Sequence, residues 1–229
     1  MAAAMSAAKT MILAHRGASD ARVENTLEAF SHAIERGADG VELDVQLSRD
    51  YEVMVFHDDD LRRLAGRHDR VETLTSRQLQ RIRLWGGGRI PRLAELLERW
   101  PTDRWLNVEL KPVADGHVLV ERALAQLSGR PRVILSSFDP RLLLRARGLG
   151  SQYEHALLLA AESPPFLHAG GAKAYGCASV HLDHRLCTAR VIEHHRAQGL
   201  EVGAWTVNDD ARKRALVELG VTRLITDRP

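Results

Sequence analysis

A chain of 229 residues, 45% of them hydrophobic, suits one large domain or two small ones and can bury a sizeable core. Its formal net charge of +2 gives no basic field to gather nucleic acid, and no apolar run approaches the roughly 20 residues of a membrane span. Nucleic acid as a general partner and stable membrane insertion are therefore excluded, and Cys177 and Cys187 match neither a metal pair nor a disulfide framework.

In chain order, the first eight or so residues read as a loose tail. They are rich in small side chains but lack the charged and apolar regions of a secretion signal, so a cytoplasmic location with reduced thiols is expected. From there short apolar runs alternate with longer amphipathic ones. Strands are predicted over 11–14, 40–46, 105–110, 132–136, 155–159, 179–182, 201–206 and 223–226. Helical periodicity falls between them. Residues 26–36 place Leu27, Phe30, Ala33 and Ile34 on one side, with Gly37 as the stop. Further helices are predicted over 93–100 after a proline, 115–127, 140–147 behind a capping Asp, 188–198 before Gly199, and 209–219 before Gly220.

Alternating strand and helix means a parallel sheet with helical crossovers. Eight such repeats predict one closed (β/α)8 TIM barrel domain over the whole chain, a little below the roughly 250 residues typical of that fold. Its connections must therefore be short, and one is not. The stretch from Leu47 to Arg104 holds another strand-like run at 53–56, a Gly/Arg/Asp-rich part, and Trp85-Gly86-Gly87-Gly88. A small insertion after the second strand, about 58–90, is expected, and long barrel loops commonly carry function.

The second strand reads GVELDVQL. Val41, Leu43, Val45 and Leu47 alternate with Glu42, Asp44 and Gln46, whereas buried parallel strands normally read as continuous apolar runs. The third strand, WLNVELK, repeats the anomaly with Asn107, Glu109 and Lys111. In a barrel the apolar set packs on the helices and the acidic set faces the interior. Sequential strands are neighbours, so Glu42, Asp44 and Glu109 can converge. Buried carboxylates need compensation, and an all-oxygen set suits a hard divalent cation, Mg2+ or Ca2+. The rival reading is salt bridging to Lys111 and Arg16 with no metal.

Of the eleven histidines, His15 and His57 stand apart because each follows an apolar run directly, MILA and VMVF. Side chains at the C-terminal ends of barrel strands build the active site in this fold. Two histidines beside one electrophilic centre can act as general acid and base. Arg16 and Lys111 bring positive charge to the same mouth, an inventory suited to a phosphate ester. Arg16 can also bridge to Glu24 or Glu42. His181 and His184 flank Asp183 at another strand end and read as a rim buttress or a metal or base candidate. His32, His68, His117, His168, His194 and His195 read as solvated, and the arginines from Arg62 to Arg99 as a solvated face.

HRG, ENT, VELDVQLSRD, VMVFHDDDLRR, IPRLAELL, NVELKP, SSFD, AWTVND and ITDRP occur in this order. From about Leu13 to the end the chain resembles the glycerophosphodiester phosphodiesterases of the compact bacterial cytosolic type. The resemblance implies a divalent ion on Glu42, Asp44 and Glu109. It implies acid–base catalysis by His15 and His57, and phosphate contacts from Arg16 and Lys111. It also implies Glu24 as a partner beside Arg16 and Trp205 at the barrel mouth near the glycerol, or packed in the rim. After HDDDLRR this chain continues LAGRHDR, where the family commonly has two threonines and a glycine.

The implied reaction is metal-dependent hydrolysis of a glycerophosphodiester to sn-glycerol 3-phosphate and an alcohol. The alternatives are a related barrel phosphodiesterase acting on lysophospholipids, a non-catalytic glycerophosphodiester-binding barrel, and a metal-dependent lyase on a sugar acid. Head group, ion, the division of acid and base between the histidines, direct water attack or a cyclic intermediate, and homo-oligomerisation stay open.

Overall fold

The computed structural model describes residues 10–229. The loose tail expected over the first eight residues lies outside the described residues.

Eight parallel strands close into a barrel: β1 (Met11–His15), β2 (Gly40–Leu47), β4 (Trp105–Leu110), β5 (Val133–Ser137), β6 (Glu154–Leu159), β7 (Ser179–Asp183), β8 (Glu201–Trp205) and β9 (Arg223–Thr226). A short strand, β3 (Val53–Val55), runs antiparallel to the end of β2. The expected (β/α)8 barrel is the observed one. Four of the eight run one residue past their expected ends, three end as expected, and β8 stops one residue short. His15, Leu47, Ser137 and Asp183 still belong to strands, because the backbone ladder does not depend on the polarity of the side chain that leaves it.

The helices are α1 (Leu27–Glu35), α2 (Arg62–Ala65), α3 (Ser76–Gln80), α4 (Leu93–Leu97), α5 (Gly116–Leu127), α6 (Pro140–Gly148), α7 (Ala172–Ala174), α8 (Ala189–Ala197) and α9 (Asp210–Glu218). Five of the corners leading into helices close on a capping side chain, with Thr75 accepting from the backbone N–H of Gln78 at the start of α3. Thr26, Asp139, Thr188 and Asp209 accept from the backbone N–H of Ala29, Arg141, Val191 and Arg212. Between β6 and β7, where no helix was expected, the chain makes a π turn (Leu167–Gly171) running into α7.

The main core is a shell between barrel and helices. Val41, Leu43, Val45, Val108, Leu110, Leu135, Leu157 and Val180 leave the outer faces of their strands and are fully buried. Each such side chain contributes about 1.5–3 kcal/mol by leaving water. This shell leaves the alternate residues to face inward.

The segment after β3 builds a second, smaller core from Phe56, Leu61, Val71, Leu79, Ile82, Leu84 and Ile90 against Met54. It is this packing that lets short α2 and α3 persist, since helices of four or five residues are not stable alone.

β2 is flanked unusually. Along one edge it pairs with β4 from Gly40 to Val45. Along the other, Gly40–Glu42 pair with β1, and Val45–Leu47 pair with β3. β1 and β3 thus occupy the same edge in succession, and they run in opposite directions.

Candidate active site

β2 supplies the floor of the site. Its inward residues Glu42, Asp44 and Gln46 are buried, at 5%, 0% and 4% exposure. Asp44 pairs in register with Glu109 of β4, and Glu42 with Asn107. One carboxylate oxygen from each of Glu42, Asp44 and Glu109 lies within 4.8 Å of the others.

Three buried carboxylates at that spacing oppose one another's charge. Burial, then Asp44 and Glu109, push the Glu42 carboxyl well above its ordinary range. Burial and Asp44 push Glu109 up to about 7. Burial also acts upward on Asp44, but Arg16, Lys111 and His57 outweigh it and hold that group ionised. Lys111 Nζ lies 3.0 Å from Glu109 Oε1 and 3.6 Å from Asp44 Oδ1. Among the described residues Asp44 Oδ1 has no hydrogen-bond partner. An unsatisfied buried carboxylate oxygen, flanked by two carboxyls pushed toward protonation, fits a cation seat. Opposite oxygens around Ca2+ stand up to about 5 Å apart, so the spread of the three oxygens is compatible with one hard ion.

Asn25 orders this floor. It takes a left-handed φ of 56°, its Nδ2 donates to Asp44 Oδ2 at 2.8 Å, and its Oδ1 accepts from Asp44 N at 3.3 Å. Gln46 Nε2 donates to the carbonyls of Phe56 and Asp58 at 2.8 and 2.9 Å, which clamps the backbone on either side of His57.

His15 ends β1. The next residue, Arg16, donates its N–H to the Glu42 carbonyl at 2.9 Å and to Glu42 Oε2 at 3.1 Å. Its guanidinium reaches Glu24 Oε1 at 2.8 Å and Asp44 Oδ2 at 3.3 Å. Both ion-pair partners proposed for Arg16 are therefore touched, Glu24 by side chain and Glu42 by backbone. Gly17 follows at φ 88°, where a Cβ would sit 2.7 Å from Ala29.

Each histidine is held through Nδ1 by a carboxylate. His15 Nδ1 lies 2.7 Å from Asp227 Oδ1, and Asp227 also accepts from Ser19 Oγ at 2.8 Å and Asn208 Nδ2 at 2.6 Å. Although burial acts upward, His15, Asn208 and Ser19 hold Asp227 at about 2. His57 Nδ1 lies 2.7 Å from Asp58 Oδ1. Burial lowers the His57 pKa, and Arg16 and Lys111 add to this against Asp44 and Asp58. An ionised carboxylate only accepts, so Nδ1 carries the proton in both rings and the neutral imidazole keeps Nε2 as its base.

His15, Arg16, Glu42, His57 and Glu109 line one cavity of about 110 Å³ with Phe138, Leu158, Trp205 and Ile225. One wall is charged and the other apolar. Trp205 packs edge-on to Phe138, ring centroids 5.5 Å apart, and its Nε1 donates to the His181 carbonyl at 2.9 Å. It is thus both a cavity wall and a packed rim residue. Glu24 stands behind Arg16 rather than on the cavity.

The other strand-end cluster stays apart from this cavity. Asp183 pairs with Arg185, and His181 is fully buried inside the barrel. His195, expected to be solvated, is buried on α8, and burial holds its pKa at about 4. Sequence reasoning did not select Asn25, Asp58, Phe138 or Asp227. All four sit inside motifs already singled out, ENT, VMVFHDDDLRR, SSFD and ITDRP.

A barrel whose C-terminal mouth holds a carboxylate cluster between two carboxylate-anchored histidines is of the hydrolytic, phosphate-ester class. The family model for the glycerophosphoryl diester phosphodiesterase family matches residues 15–229. A glycerophosphodiester phosphodiesterase of Caldanaerobacter subterraneus is 30% identical, the match covering 96% of this chain and 95% of that one. One of Bacillus altitudinis is 31% identical over 96% and 95%. The crystal structure of the Thermotoga maritima enzyme superposes with a TM-score of 0.83 at 31% identity, covering 96% of this chain and 95% of that one. An Oleispira antarctica phosphodiesterase, solved with its product sn-glycerol-3-phosphate, gives 0.87 at 26% identity over 96% and 93%. The chain belongs to the glycerophosphoryl diester phosphodiesterase family and is an enzyme of that class. No helix among the described residues is long and apolar enough to cross a membrane.

Proposed function

We propose that the protein hydrolyses glycerophosphodiesters to sn-glycerol 3-phosphate and an alcohol, using His15 and His57 as its acid–base pair. The observation that carries this reading is the shared cavity. Both histidines line it, each with Nδ1 tied to a carboxylate and Nε2 left for the substrate.

Glu42, Asp44 and Glu109 would hold one divalent cation, Mg2+ or Ca2+. When bound, such an ion balances the three carboxylates and stabilises charge on phosphoryl oxygens. Arg16 and Lys111 hold the phosphate, their own charges already fixed by Glu24, Asp44 and Glu109. One imidazole takes a proton from the attacking hydroxyl, and the other gives one to the departing alcohol. As a neutral base at Nε2, either ring receives the proton while its carboxylate stabilises the imidazolium that forms. The apolar wall of Phe138, Leu158, Trp205 and Ile225 faces the carbon side of the glycerol and keeps water from it. The small cavity leaves the alcohol portion toward the mouth. The buried, unbridged cysteines Cys177 and Cys187 agree with a cytoplasmic enzyme.

The test is a coupled assay of sn-glycerol 3-phosphate release from several glycerophosphodiesters, with and without EDTA, and with lysophosphatidylcholine as the rival substrate. No release from any glycerophosphodiester in the presence of Mg2+ or Ca2+ refutes the reading.

A further inference from the structure

The two histidines are anchored differently. The carboxylate behind His15, Asp227, is steadied by the neutral side chains Ser19 and Asn208. The carboxylate behind His57, Asp58, is steadied by a cation from the inserted segment, Arg63 on α2. Arg63 Nε donates to Asp58 Oδ2 at 2.7 Å and Nη2 to Asp58 Oδ1 at 3.0 Å. The same guanidinium turns its other side to Glu24, with Nη1 to Oε2 at 2.8 Å and Nη2 to Oε1 at 2.7 Å. Glu24 in turn accepts from Arg16, and Arg16 lies against Asp44. An unbroken series of charge-assisted contacts therefore runs His57–Asp58–Arg63–Glu24–Arg16–Asp44. Arg63 itself is not among the residues lining the catalytic cavity.

We infer that Arg63 is a positioning residue for the phosphodiester reaction, bridging Asp58 and Glu24 so that the His57 ring and the Arg16 guanidinium keep a fixed relation. The inference rests on the roles of His57 and Arg16 proposed above. Three nitrogens of one rigid fork engage four oxygens of two carboxylates, which a lysine ammonium cannot do. The Arg63 side chain is about half exposed, at 47%, so its ion pairs add little to global stability. Their effect is orientational. Asp58 and Glu24 each accept from Arg63 on both oxygens and share one of them with a residue of the site, Asp58 Oδ1 with His57 and Glu24 Oε1 with Arg16. α2 has no side-chain cap at its start and only four residues, so the bridge also fastens the inserted segment to the barrel.

The test compares full-length protein with Arg63→Lys and Arg63→Ala in the presence of Ca2+. It measures kcat, KM, the thermal midpoint, and the 15N signals of the histidine side chains at pH 8, which report the tautomer of each ring. The expected result is a midpoint within a few degrees of the parent's and a kcat lower by about 10–100-fold, the usual cost of releasing an orienting partner. KM changes much less, and Lys behaves like Ala. The His57 signals move from the Nδ1-protonated pattern toward a mixture while those of His15 stay. Turnover within twofold of the parent overturns the inference. So does a fall in kcat with the His57 tautomer intact, which would give Arg63 a different role. If the parent hydrolyses no glycerophosphodiester, the functional reading fails, and the tautomer signals still decide whether Arg63 orients His57.

Discussion

Asp44 on β2 and Glu109 on β4 are register partners, side by side across the parallel ladder with both carboxylates turned into the barrel. Lys111 lies against both, yet Glu109 is still pushed up to about 7. One ammonium and one guanidinium do not balance this pair together with Glu42. The excess of negative charge is what the proposed divalent cation would balance.

Removal of divalent ions should therefore abolish turnover, and Mg2+ or Ca2+ should restore it. The ion should also raise the thermal midpoint, since an ion at 100 times its Kd adds about 2.7 kcal/mol. Glu42→Gln combined with Glu109→Gln should lose that shift. Full activity in excess EDTA, or an equal shift in the double variant, would refute the cation seat.

His15→Ala and His57→Ala should each lower kcat by about 10²–10⁴-fold, the range for a positioned proton-transfer group. Asp227→Asn and Asp58→Asn leave the rings in place but can offer Nδ1 an N–H and so favour the wrong tautomer, and should each lower kcat by up to about 10⁴-fold. Near-normal turnover in either alanine variant would remove that histidine from the acid–base pair.

Acid should destabilise the fold through a histidine outside the site. Burial, with Arg223 nearby, lowers the His181 pKa to about 3, against about 6.5 in an unfolded chain. Below pH 6.5 the unfolded chain binds a proton that the folded one refuses. This contribution is complete above about pH 6.5 and is lost as pH falls toward 3, at about 1.4 kcal/mol for each unit of separation. Buried His195, at about 4, acts in the same sense. His181→Asn should flatten the plot of thermal midpoint against pH between 6.5 and 4. Parallel plots for parent and variant would show that His181 does not contribute.

Gly17→Ala should destabilise by about 1–3 kcal/mol, because φ is 88° and the new Cβ meets Ala29 at 2.7 Å. For a chain of this length that is a fall of roughly 2–4 °C per kcal/mol. An unchanged midpoint would mean that the turn relaxes freely. The variant should also lose activity, since the turn carries His15 and Arg16.

The alternation of GVELDVQL made the inward carboxylates readable, because a strand's period of two assigns each side chain a face whatever the surrounding fold. The apolar runs before His15 and His57 likewise marked their strand ends. Their anchors were not readable in the same way. His15 meets Asp227 across 212 positions, a contact created only when β9 closes the barrel against β1. Arg63 meets Glu24 across 39 positions through a fork that composition alone shows as one arginine among many. His195 is a different case. It lies three residues after buried Ile192 on α8, so the helical period did place it on the inner face.

The flanking of β2 has a consequence for how the protein spaces His15 and His57, the pair proposed above for proton transfer. β1 climbs the edge of β2 and stops where Arg16 N–H meets the Glu42 carbonyl, while β3 descends the same edge and stops where Phe56 N–H meets the Asp44 carbonyl. His15 and His57 are thus delivered head to head, two residues apart on a common rail. The interval between them is set by the length of the β2–β3 hairpin, not by the circumference of the barrel. Shortening that hairpin by two residues would draw His57 back from His15 by about 7 Å along the rail, at roughly 3.4 Å per residue. Every parallel pairing of the barrel would stay where it is. The spacing of the two histidines can thus be altered without rebuilding the barrel around them.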